Sequence, residues 1–193
     1  MNKIVSFKIS LYSLIFSSLV CFLSLGGCAK YSEEVQANLI KLKTTKSCSG
    51  CDLTGIELVS FDLKNADLSG ASLTGANLGR VDLTNANLTD ANLTDANLVM
   101  AIFTGAKLVN TNLSRAKLSY ANITGVDIFD SLLVDASMNS AKILNSKISD
   151  TNMAGANLHS ANLTVTKINP KLLKDSVLCK TIMPSGQQDD SGC

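Results

Sequence analysis

Cysteine is the residue type in this chain best suited to chemistry. Six are present, at positions 21, 28, 48, 51, 179 and 193, against one histidine, His159. The run Cys48-Ser-Gly-Cys51 has the spacing of a redox motif, whose thiolate needs exposure and nearby positive charge. Lys46 supplies charge, but no βαβ pattern surrounds the motif. A zinc site needs four ligands, and only one CxxC occurs. His159 has no acid or nucleophile held beside it. Asp and Asn recur at regular spacing, and bracing of backbone bends accounts for them first. These residues predict no catalytic group, no metal, no cofactor and no enzyme.

The segments that carry the cysteines narrow their roles. Residues 1–8 hold Lys3 and Lys8 with no acid, and residues 9–25, including Cys21, are uncharged. A basic start, an apolar core and small residues before a cleavage point describe a secretory signal. Leu25-Gly26-Gly27-Cys28 resembles a bacterial lipobox. The expectation is a lipoprotein-type signal over 1–27, cleavage before Cys28 and lipid on that residue, which gives a membrane partner through the N-terminal lipid. A retained signal anchor and cleavage after Ala29 are the alternatives. Each places the chain outside the cytoplasm. Four cysteines then remain in an exported chain, which suggests disulfides with three connectivities.

The rest is a five-residue repeat: ADLSG, ASLTG, ANLGR, VDLTN, ANLTD. Let i be its large apolar position. It falls at 53, 58 and every fifth residue to 168, and all 24 are Leu, Ile, Met or Phe. Position i−2 is Ala in 14 of the 24. Positions i−2 and i share a side, as alternate strand residues do. The next inward residue arrives at i+3, so the backbone bends once per repeat, near i+2. Gly, Asn or Asp fills i+2 in 15 of 24 repeats, which suits positive φ there. Six of the nine exceptions are Ser60, Arg80, Met100, Tyr120, Ser140 and Ser160, spaced by 20. One corner in four is built differently, so four faces close one coil, and 24 repeats make about six coils. The tube is filled by Leu and Ala. That agrees with 46% hydrophobic residues of which few are aromatic, at 5% of the chain.

The A(D/N)LXX run over 51–168 resembles the pentapeptide-repeat family. That resemblance implies an all-β, right-handed quadrilateral β-helix. Thr45–Leu53 is similar to the cap-to-helix junction of exported cyanobacterial members, and 178–186 to their C-terminal segment. Ser32-Glu33-Glu34 reads as a helix start. The predicted organisation is 28–50 as lipid-anchored linker and capping helix, 51–168 as β-helix, and 169–193 as C-terminal cap and tail. Asn169-Pro170 suits an N-cap and first helical position. Cys48 and Cys51 share one junction, and Cys179 and Cys193 share the C-terminal cap, so local pairing is preferred.

Outward apolar residues mark a candidate partner surface: Val99, Met100, Val109 and Tyr120, with Phe129, Leu132 and Val134. An unidentified protein, or a second copy in a homodimer, is the occupant considered. Net charge is +1, so no nucleic-acid footprint is expected. Some family members mimic DNA and bind type II topoisomerases. That alternative needs a strongly acidic column, whereas here early acids give way to later lysines. The leading expectation is a non-enzymatic, membrane-anchored binding or scaffold module. A redox-responsive protein using Cys48–Cys51 stands second.

Overall fold

The computed structural model describes residues 30–193. The signal segment, Cys21 and Cys28 lie outside them. The chain divides into two compact units, Met1–Glu33 and Glu34–Cys193. In the described part of the first, the Lys30 ammonium lies 5.3 Å from the centroid of the Tyr31 ring.

The second unit is built by the bend at i+2. Every fifth residue from Gly50 to Val165 has positive φ, including bulky Arg80, Met100 and Tyr120. A left-handed residue after each three-residue run turns the chain through one corner. Parallel bridges then join i−1 residues to those 20 further on, in four ladders. The first side starts at Ser47↔Asp67, the second at Asp52↔Ser72, the third at Glu57↔Asn77 and the fourth at Asp62↔Asp82. The coil is four-sided, as the spacing of the corner exceptions predicts. On the first side the ladder widens into strands β1 (Lys107–Val109), β2 (Asp127–Phe129), β3 (Lys147–Ser149) and β4 (Lys167–Ile168), paired in that order. Inward positions form one continuous core, in which Leu93 and Phe103 are fully enclosed.

Most bends close with an N–H···O=C bond from the next i−2 residue to residue i, such as Ala91 to Leu88 at 3.1 Å. Where Ser or Thr occupies i−2, its hydroxyl joins the ladder. The Ser131 hydroxyl accepts from the Thr111 N–H at 3.0 Å and donates to the Leu108 carbonyl at 3.0 Å. Ser146 does the same for Val126 and Ile123. One hydroxyl thus stands in for a bend's own hydrogen bond in the coil before it. The i residues at these bends include Ile123, Ile128, Ile143 and Ile148, whose branching favours extended backbone.

Helix α1 (Glu33–Thr45) leads into the coils. It buries Val35 and Leu42, Leu39 packs against the core, and the Asn38 amide donates to the Asp52 carbonyl at 3.0 Å. At the other end Pro170 falls at i+2, where its ring forbids positive φ. The corner cannot form, and a 3-10 helix (Pro170–Leu173) takes its place, with Asn169 Oδ1 accepting from the Lys171 N–H. Register survives the interruption, since Val177 and Ile182 bridge back to Asn157 and Asn162. The polar tail is ordered. A turn at Gly186 folds it back, and β5 (Thr181–Ile182) pairs antiparallel with β6 (Gln188–Asp189).

Candidate binding surfaces

The Asp and Asn residues at i−1 are committed to the backbone. Asp52, Asp67, Asn92 and Asn162, among others, turn Oδ1 onto the N–H two residues ahead, at 3.0–3.1 Å. The donors stabilise the ionised form. The Thr54 hydroxyl and N–H hold the Asp52 carboxyl below its usual range, and Ser69 acts likewise on Asp67 with help from the Asn87 amide. At Asp82 burial opposes, but bonds from Thr84 and Lys64 prevail. Arg115 lowers Asp95 through a paired contact at 2.8 and 2.7 Å. Charges of both signs also meet between Lys46 and Asp62 and between Lys64 and Asp82. This surface is ionically mixed. Among the described residues no group of three or more His, Cys, Asp or Glu converges as a metal site would require.

The cysteines pair locally in the structure: Cys48 with Cys51 and Cys179 with Cys193, with Cα separations of 5.2 and 4.6 Å. Cys48 is fully buried beneath α1, and Cys51 is 6% exposed. The Lys41 ammonium comes within 3.9 Å of the Cys51 sulfur.

The seven outward apolar residues do not form one surface. Val109 and Phe129 are bridge partners on the first side, and Leu132 and Val134 follow on the second. Val99 lies on the third side, and Met100 and Tyr120 stack on the corner between the third and fourth. A four-sided coil of 20 residues puts positions ten apart on diagonally opposite corners, so one sequence neighbourhood becomes two patches. Leu132 is exposed, while Phe129 is half-covered and carries the Lys147 ammonium 4.7 Å from its ring centroid.

His159 keeps the outward position that the repeat gives it. It sits half-buried in a depression of about 640 Å³ with Tyr120, Asn139, Ser140, Asn157 and Ser160. The Cys179–Cys193 pair, Val177 and Gly192 complete it. The signal was present in the corner exceptions, where bulk drops from Arg80, Met100 and Tyr120 to Ser140 and Ser160. A second depression, about 370 Å³, opens where the 3-10 helix replaces a coil side, between Asp150–Ala154 and Lys171. Among the described residues no helix is long and apolar enough to cross a membrane.

Comparison with known proteins returns the same repeat. The family described as "Pentapeptide repeats" matches over 47–85, 62–98, 71–108 and 101–135. No curated protein matches. Among solved structures, HetL from the cyanobacterium Nostoc sp. strain PCC 7120, a pentapeptide repeat protein involved in heterocyst differentiation regulation, is 28% identical. The match covers 74% of this chain and 74% of HetL, at a TM-score of 0.48. Rfr23 from the cyanobacterium Cyanothece 51142 is 26% identical over 73% of this chain and 97% of its own, also at 0.48. A pentapeptide repeat protein of the Arabidopsis thaliana thylakoid lumen is 22% identical over 77% and 81%, at 0.21. The family fold is the right-handed quadrilateral β-helix. With its five-residue bend, 20-residue ladders and family match, the chain belongs to the pentapeptide-repeat family.

Proposed function

We propose that this protein is a non-enzymatic binding or scaffold module, held by lipid on Cys28 at the periplasmic or lumenal face of a bacterial membrane. The observation that carries the reading is the filled interior. Large apolar side chains occupy the axis of the coils throughout, so a ligand or partner must be met on the outside. About six coils over 51–168 make a rigid spacer, α1 covers its N-terminal end, and 169–193 covers the other. The lipid reading rests on Leu25-Gly26-Gly27-Cys28 after an apolar segment. The patch of Phe129, Leu132 and Val134 is the proposed contact for a protein partner, since aromatic and aliphatic residues anchor interfaces. Replacing Cys28 with Ala tests the anchor: acyl labelling is expected to disappear and the precursor to accumulate. Normal labelling and processing of that variant would refute it. Photo-crosslinking from position 132 in intact membranes tests the patch, and a crosslink that survives Phe129→Glu would refute that contact.

A second reading is redox response through Cys48–Cys51. The Lys41 ammonium beside the Cys51 sulfur favours it, because positive charge stabilises a thiolate. Burial of both cysteines opposes it.

A further inference from the structure

We propose that the depression between Tyr120 and the C-terminal disulfide binds a neutral saccharide of one or two rings. Its lining is polar. Tyr120, Asn139, Ser140, Asn157, His159 and Ser160 supply a ring and a set of hydroxyl, amide and imidazole groups, with no Lys, Arg, Asp or Glu among the lining residues. That composition matches a ligand with many hydroxyls and no charge. The volume of about 640 Å³ lies within the range of small-molecule sites.

Two features show that the site is built. The first is Asn139. Its Nδ2 donates to Ser137 Oγ at 3.2 Å, but its Oδ1 is buried with no hydrogen-bond partner. A buried amide oxygen left unmatched is costly, so a ligand that satisfies it gains accordingly. A hydroxyl both donates and accepts, so it can serve this amide in either orientation. An ammonium only donates and a carboxylate only accepts, so neither can do both.

The second feature is the corner. Tyr120 holds φ at 62°, a conformation that bulky residues rarely adopt, and its side chain is 60% exposed. Positive φ is the rule at every corner of this coil, so what distinguishes this one is its exposed ring. Ser140 and Ser160 occupy the same corner in the next two coils, so the phenol ring stands over a step of small residues. An aromatic face above and hydroxyls below suit the apolar C–H face and polar rim of a pyranose. The opposite wall is the returning tail. A side chain on Gly192 would place Cβ 2.7 Å from the Leu178 nitrogen, so glycine is needed for the tail to lie this close. The Cys179–Cys193 link ties that tail to the third side.

The site lies diagonally opposite the Phe129 patch and does not depend on the lipid anchor. Its test uses the full chain in a detergent without a sugar headgroup. Saturation-transfer NMR would be run with glucose, galactose, N-acetylglucosamine, maltose, sucrose and trehalose. At least one is expected to give a transfer signal. Affinity should fall about tenfold or more, a loss of ~1.4 kcal/mol, in Tyr120→Ala and in Asn139→Ala. Tyr120→Phe should keep most of it, Cys193→Ser should weaken it, and Val59→Ala, at an exposed position outside both sites, should leave it unchanged. Thermal melts of each variant establish that the coils are folded. No signal from any of the six sugars would overturn the proposal. So would a signal that survives both alanine variants, or equal binding of glucuronate.

Discussion

At the scale of single residues, the inward positions divide into apolar fillers and hydroxyl relays, and each fails differently when truncated. Leu93 is enclosed on all sides. Leu93→Ala is expected to destabilise the protein by about 2–5 kcal/mol, as buried leucine truncations do. Equilibrium denaturation would measure this, and a cost near zero would contradict a packed tube. Ser131 is as deeply buried, but its contribution is polar. Removing its hydroxyl leaves the buried Thr111 N–H without the acceptor it has here. Ser131→Ala should cost about 1–3 kcal/mol although it removes a single atom. If the variant is as stable as the parent, the hydroxyl is not replacing the bend's own bond. The same side chain in a solvated corner, such as Ser140, carries no such obligation.

At the scale of elements, α1 and the first coil meet around Cys48–Cys51. The Cys48 sulfur lies 3.4 Å from the Asn38 carbonyl oxygen of the helix, which shields the pair. The loop they close is short, so its entropic contribution is modest. Access governs its chemistry, because exchange needs an attacking thiolate to reach a sulfur. The folded protein should therefore resist mild reductant, and the pair should become reducible once the protein is unfolded. Alkylation and mass spectrometry with and without denaturant would decide this. Rapid exchange in the folded state would promote the redox reading above the structural one. The 3-10 helix at the other end has a simpler cause. One proline falls where the next corner requires positive φ, and the coil side is lost there.

Across the whole molecule, the i−1 ladder makes acid stability a distributed property. Asp52, Asp62, Asp67 and Asp82 all have carboxyls lowered by hydrogen bonds, joined at Asp62 and Asp82 by lysine partners. A carboxyl lowered on folding contributes stability above its unfolded value of about 3.9. That contribution is lost as pH falls through the lower folded values. The protein should therefore lose stability below about pH 4 while remaining level near neutrality. Asp67→Asn separates bracing from charge, because Asn87 already braces the Thr89 N–H in the next coil. The variant should match the parent at neutral pH and lose less on acidification, read as the denaturant midpoint against pH. An acid loss equal to the parent's would remove Asp67 from this account.

The inward pattern, the bend every five residues, the four-sided coil and the break at Pro170 were all legible in the amino-acid sequence. Each follows from local backbone requirements: a small residue at i−2, a large one at i, and a residue tolerant of positive φ at i+2. Those requirements act within five residues and repeat, so no distant contact is needed to read them. The outer surface obeys no such rule. Outward residues meet across coils, 18 to 20 positions apart, as Thr54 does with Ser72 and as Arg115 does with Asp95. Splitting of the apolar residues into two patches depended on which corner each one reached. The depression around His159 arose only when the tail folded back and Cys193 met Cys179, joining a repeat whose form is local to a segment whose position is not. Tertiary closure decided that site because its two walls come from chain segments that no short-range pattern connects.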